Sequence, residues 1–125
     1  MQKPIQALIL FGHGARDVRW REPFDRLVQL WQEQHPAVLV QAAFLELMEP
    51  NLEEAIRQLA ISGATSIVVV PVFFGQGGHL RQDFPKLLSQ CQALYPQISL
   101  SATSAVGESE AVLQAIINFS ALSLQ

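Results

Sequence analysis

Apolar and polar positions alternate along this chain in a pattern that repeats four times: a short apolar run, then a longer stretch whose apolar residues recur every three or four positions. The first run, Ala7 to Phe11, reads as a strand. From Arg16 to Gln34 the apolar positions Phe24, Leu27, Val28 and Trp31 fall at helical spacing. His35-Pro36 ends that helix, because a residue before proline avoids the helical region. Val38 to Phe44 is the second strand. Asn51 then caps a helix through Ser62 that turns Leu52, Ala55, Ile56 and Leu59 inward, and Gly63 stops it. The third strand, Ile67 to Phe73, contains Pro71, which lacks a donor and therefore marks the strand's exit. A helix from about Leu80 to Leu94, a strand Ile98 to Ala102 and a helix from Glu108 to about Phe119 complete the chain. Repeated strand-helix units predict a single α/β domain: a four-stranded parallel sheet with right-handed crossovers and helices on both faces.

Composition narrows the class. The chain has 125 residues, enough for one core and too few for two ordinary domains. Half of them are hydrophobic and 15% charged, which excludes a disordered or coiled-coil chain. No apolar stretch approaches the roughly 20 residues of a membrane span, and no basic segment followed by a long apolar one opens the chain, so a cytoplasmic protein is expected. A net charge of −3 argues against nucleic acid as a partner. The lone Cys91, on an apolar helical face, reads as a buried thiol. Six of the eight Lys and Arg residues (Arg16, Arg19, Arg21, Arg26, Arg81 and Lys86) follow two glycine-flanked histidines closely. Arg26 and Lys86 fit solvated helix faces. Arg16 and Arg81 fit either that or contact with an anion.

Those histidines carry the chemistry. His13 stands between Gly12 and Gly14 just past the first strand, and His79 follows Gly77-Gly78 beyond the third. Ligands of open α/β sheets bind beyond the carboxyl ends of the strands, so both imidazoles are expected to face one crevice. Neutral imidazole is a metal ligand and a proton acceptor near neutral pH. Glu46, between Leu45 and Leu47 after the second strand, brings a carboxylate to the same rim; Glu49 is the weaker candidate. Two His and one Glu suit a borderline divalent ion with open positions, not a closed structural zinc site. Asp17 and Asp83 each stand four residues after a histidine, either to oppose a helix dipole or to orient an imidazole. His35, in a polar turn, reads as surface. The first loop lacks the third glycine of a dinucleotide fingerprint, and no Gly-Lys-Ser/Thr phosphate loop occurs. His13 also occupies the place where a nucleophile elbow needs serine.

Three motifs carry a family resemblance: Leu10-Phe11-Gly12-His13-Gly14-Ala15-Arg16-Asp17; Ala43-Phe44-Leu45-Glu46 with Pro50-Asn51-Leu52; and Val70-Pro71-Val72-Phe73 leading to Gly77-Gly78-His79-Leu80-Arg81-Gln82-Asp83. In order and spacing the chain resembles the short-form, CbiX-type sirohydrochlorin chelatases, ATP-independent class II enzymes that insert cobalt, nickel or ferrous iron into a tetrapyrrole. Ala15 departs from the serine usual in the first motif, and Ala105 to Glu110 match only loosely. The resemblance implies a chelatase-like fold, half of a flavodoxin-like pair, with no cofactor beyond the substrate metal. It implies that His13 and His79 bind the metal and accept pyrrole protons, that Glu46 shuttles them, and that Gly12, Gly14, Arg16, Gly78 and Arg81 hold the tetrapyrrole. One half-size domain offers a flat substrate one wall, so a homodimer is expected. Val112, Leu113, Ile116, Ile117 and Phe119 exceed the stripe the last helix needs for its own core, and either form that interface or pack under the sheet. The rival function is a metal or tetrapyrrole carrier without turnover; a histidine phosphatase would need Arg where Gly12 stands.

Overall fold

The computed structural model describes residues 4–75 and 77–125, and of residue 79 the backbone alone. Strands β1 (Gln6–Gly12), β2 (Leu39–Phe44), β3 (Ser66–Pro71) and β4 (Ser99–Ala102) form one parallel sheet in the order β2-β1-β3-β4. Helices α1 (Glu22–Gln34), α2 (Leu52–Ile61), α3 (Gly78–Leu94) and α4 (Glu110–Leu122) alternate with them as the sequence pattern requires.

Side chains alternate across the sheet. Ala7, Ile9 and Phe11 of β1, Ala43 of β2 and Ile67 and Val69 of β3 pack with Leu52, Ala55, Ile56 and Leu59 of α2 and Leu80, Phe84 and Cys91 of α3. On the other face Leu8, Leu10, Val40, Ala42, Phe44 and Val70 pack with Phe24 and Val28 of α1. Each fully buried aliphatic or aromatic side chain contributes about 1.5–3 kcal/mol. Register follows, because slipping any strand by one residue exchanges its two faces.

The helix boundaries have local causes. The first helix starts later than its apolar spacing suggests: residues Val18–Arg21 form a 3-10 turn, and α1 opens with Pro23 in its first turn, where no donor is needed. The α2 start is a reciprocal capping box. The Asn51 side chain accepts from the Glu54 amide at 2.9 Å, and the Glu54 carboxylate accepts from the Asn51 amide at 3.2 Å. Gly63, at φ +99°, lets the chain turn back into β3. Pro71 is the last residue of β3, as expected; β4 pairs with β3 only as far as Val69, so the missing donor breaks no bond to that neighbour.

In the last helix no residue is fully buried: Val112 and Leu113 are half-buried, while Ile116, Ile117 and Phe119 are exposed. Cys91 is buried, and desolvation, assisted by the charge of Glu53, pushes its thiol pKa up. Among the described residues no helix is long and apolar enough to cross a membrane.

Candidate functional site

The connection leaving β1 runs to β2 on one side, and the chain then crosses to β3 on the other side of β1. A crevice at the carboxyl edge opens where connections diverge in this way. Three loops meet there. Gly12 ends β1 against the Phe24 ring, with no room for a Cβ. His13 follows. Gly14, at φ +90°, lies so close to the next loop that a Cβ would overlap the carbonyl oxygen of Glu46. The Leu45 amide donates to the Gly12 carbonyl at 2.9 Å and the Glu46 amide to the His13 carbonyl at 3.1 Å. The histidine loop and the glutamate loop are therefore laced together by backbone.

The far end of the glutamate loop is also held. Phe44 donates to the Pro50 carbonyl at 2.9 Å, and Arg21 donates through Nη1 to the Glu49 carbonyl at 2.5 Å. The Arg21 guanidinium carbon sits 5.1 Å from the centre of the Phe44 ring. Between these anchors Leu47 adopts φ 67°, an uncommon conformation for leucine, and its side chain is exposed.

His13 rests on an aromatic floor. Its ring centroid lies 4.3 Å from that of Phe73, which is buried and packs on Phe11; Phe11 stacks in turn on Phe84 of α3. The imidazole nitrogens have no hydrogen-bond partner among the described residues, and the ring faces an open pocket of about 360 Å³. Leu45, Glu46, Gly77, Gly78, Leu80 and Asp83 complete its lining. Gly77 caps α3 without a side-chain bond, so the first amides of that helix border the same space.

The structure thus brings His13, Glu46 and Gly78 together, with Gly12 and Gly14 shaping the loops behind them. The backbone of His79 lies in the first turn of α3 between two lining residues, and its side chain lies outside the described residues. Arg16 is exposed and does not line the pocket. The Arg81 guanidinium reaches Glu108 at 3.6 Å, with both side chains largely in water. Asp17 serves as a cap: it accepts from the Arg19 amide at 2.9 Å and pairs with the guanidinium at 2.7 Å, which holds its carboxyl below the usual aspartate value. Of the two aspartates, Asp83 is the one that lines the same pocket as His13. Among the described residues no group of three or more His, Cys, Asp and Glu gathers as a resident metal site.

Two contributors were not singled out in the sequence. Phe73 forms the floor under His13, and its signal was an aromatic residue on the core side of the strand end. Arg21 fastens the glutamate loop, which sequence distance concealed. A cavity of about 450 Å³ along β2 is larger than the histidine pocket, but it is lined by no titratable side chain and has no comparable chemistry. Another, of about 570 Å³, adjoins the histidine pocket across Leu45 and Glu46.

The parallel α/β domain thus presents an imidazole and a carboxylate on one open pocket from strand-end loops laced by backbone. The chain belongs to the CbiX family, whose model matches residues 7–120. It is similar to the sirohydrochlorin cobaltochelatase of Methanopyrus kandleri, 39% identical over 82 residues, a match spanning 66% of this chain and 57% of that protein. Among solved structures, a putative cobalamin biosynthesis CbiX protein from Marinobacter aquaeolei superposes with a TM-score of 0.82 at 28% identity, covering 95% of this chain and 97% of that one. The sirohydrochlorin chelatase SirB from Bacillus subtilis subspecies spizizenii, in complex with cobalt, gives a TM-score of 0.77 at 28% identity; 91% of this chain covers 49% of SirB. The family resemblance and the fold expected from the sequence are both borne out.

Proposed function

We propose that this chain is a cytoplasmic metallochelatase that inserts a divalent metal, cobalt before nickel or ferrous iron, into sirohydrochlorin, and that it works as a homodimer. The observation that carries the reading is the joint placement of His13 and Glu46 on one pocket by loops that cannot move independently. Insertion exchanges two pyrrole protons for one metal ion, so the site has to receive a partly dehydrated cation and remove two protons. His13 offers a ring packed at a tilt on Phe73 whose nitrogens have no hydrogen-bond partner among the described residues, which suits it to take either the metal or a proton. Glu46 stands on the same pocket to pass protons to water. His79, from the first turn of α3, is assigned the second imidazole.

The substrate carries acidic groups around its rim. Arg16 and Arg81 are exposed beside the pocket loops, where a guanidinium fork matches a substrate carboxylate. The amides opening α3 add a favourable dipole for the same anions. No cofactor besides the substrate metal enters this scheme. The spectrum of sirohydrochlorin reports metallation directly: with Co2+ the native chain is expected to convert many equivalents per protein. His13→Ala and His79→Ala should each cut the rate by about 10²-fold or more, as loss of a positioned proton acceptor does. Retention of one equivalent of pigment or metal without turnover would instead establish a carrier, and native rates in both variants would overturn the assigned roles.

A further inference from the structure

Glu46 stands between two spaces. It lines the histidine pocket of about 360 Å³ and, with Leu45, also walls the adjoining cavity of about 570 Å³. The residue is exposed, and among the described residues its carboxylate has no hydrogen-bond or ion-pair partner. Such a group inherits its position from the backbone that carries it, so whatever fixes residues 45–50 fixes the reach of the carboxylate.

The start of that loop is held by backbone alone, through the Leu45 amide on Gly12 and the Glu46 amide on His13. Its return is held by the Phe44 amide on the Pro50 carbonyl and by one side chain from outside the loop, Arg21. Leu47, at φ 67°, lies between these anchors, and an uncommon conformation of this kind persists only where its surroundings impose it.

Arg21 ends the 3-10 turn before α1 and is half-buried, whereas Arg16 and Arg19 are exposed. Its guanidinium makes three contacts at once. Nη1 donates to the Glu49 carbonyl, Nε donates to the Asp25 carboxylate at 3.3 Å, and the central carbon lies 5.1 Å from the middle of the Phe44 ring. Phe44 is itself fully buried and packs edge-on against Phe24 of α1, with ring centroids 5.3 Å apart. The loop is thereby fastened to the rigid base of α1 and to the end of β2. A planar fork can serve two acceptors while lying over a ring; an ammonium on a flexible stem cannot.

We infer that Arg21 is a positioning residue for Glu46: by clamping the Glu49 carbonyl to the base of α1, it keeps the glutamate loop in the conformation that presents the carboxylate to the histidine pocket. This deepens the preceding reading and rests on the role given there to Glu46. Arg21 does not line the pocket, so it acts through the loop and not on the substrate.

The test uses the full chain. Arg21→Met keeps an unbranched stem and removes the fork, and Arg21→Lys keeps the charge as well. In both, with circular dichroism unchanged, hydrogen exchange at the Leu45 and Glu46 amides, followed by NMR, is expected to quicken about 10-fold or more, while the sheet amides of Ile9 and Val69 keep their native rates. Metallation of sirohydrochlorin with Co2+ is expected to lose about 10-fold in kcat with KM unchanged, a part of what a positioned proton acceptor contributes. In a Glu46→Gln background the same Arg21→Met change is expected to cost less than about 2-fold, because a displaced carboxylate no longer matters when it is absent. Equal losses in the two backgrounds would show that Arg21 acts on something other than Glu46 and would overturn the proposal. Native exchange rates in both Arg21 variants, or native kcat in both, would overturn it as well. The exchange measurement requires no turnover: a native chain that metallates nothing would refute the reaction, and the exchange rates would still decide whether Arg21 holds the loop.

Discussion

Two glycines with nearly equal dihedral angles offer a controlled measurement of what holds the site together. Gly14 has φ +90° and Gly63 has φ +99°. Alanine at either position meets the same intrinsic penalty of about 1–2 kcal/mol for a left-handed backbone. Their surroundings differ. A Cβ at Gly63 meets only the tip of the Ile5 side chain, at 3.2 Å, which can yield. A Cβ at Gly14 overlaps the Glu46 carbonyl, so the glutamate loop has to retreat and break the Glu46–His13 and Leu45–Gly12 backbone bonds. Each of those bonds is worth about 1 kcal/mol net. Gly63→Ala is therefore expected to lose about 1–2 kcal/mol and Gly14→Ala about 3–4 kcal/mol. For a chain of this size these losses correspond to melting-point drops of roughly 4–8 °C and 12–16 °C by calorimetry. At 20 °C, where both variants are folded, Gly63→Ala should metallate sirohydrochlorin at the native rate and Gly14→Ala about 10²-fold more slowly, as a displacement of about 1 Å at a site does. Equal stability losses with equal rates would show that the close approach of the two loops is incidental, and the lacing argument would fall.

Asp17 provides a pH signature. Its carboxyl pKa is lowered, first by the Arg19 side chain and then by the Arg19 amide, so the cap contributes above the unfolded value and its contribution is lost as pH falls through the lowered one. Asp17→Asn should accordingly lower the melting temperature at neutral pH and make no difference in strong acid; an equal effect at both would refute the ionic cap. Cys91, buried and with its thiol pKa raised by desolvation, should not react with a thiol reagent at pH 8 until denaturant unfolds the chain, and stoichiometric labelling of the native chain would contradict its burial.

Much of the architecture was legible because it depends on local rules. The apolar runs of β1 to β4, the Asn51 cap and the strand exit at Pro71 all fell within a residue or two of their expected places. The start of α1 was misplaced because Pro23 and the Asp17–Arg19 cap make the preceding turn a 3-10 segment, and apolar spacing is blind to that choice. His13 and Glu46 were readable as candidates from their positions after apolar runs. Their fastening was not, since it rests on Gly14 meeting a carbonyl 32 positions away and on Arg21 reaching Glu49. The two aspartates illustrate the limit of a spacing argument: at the same offset from a histidine, one binds a neighbouring arginine and the other borders the pocket. The surplus of apolar residues in α4 was visible in the sequence; that Ile116, Ile117, Phe119 and Leu122 stay exposed was not.

Because all four strands point the same way, the bends that re-enter the sheet gather at the rim opposite the imidazole. His35 to Val38, Ser62 to Thr65 and Tyr95 to Ile98 are such bends; the first and last are closed by Val38–His35 and Ile98–Tyr95 backbone bonds, and the middle one is tied to α2 and to Ile5. Extra residues inserted there lengthen the molecule away from its chemistry, whereas a single addition between Gly12 and Gly14 disturbs two loops at once. The amino-terminal rim is thus the place to graft an affinity peptide or a fluorescent label onto this scaffold.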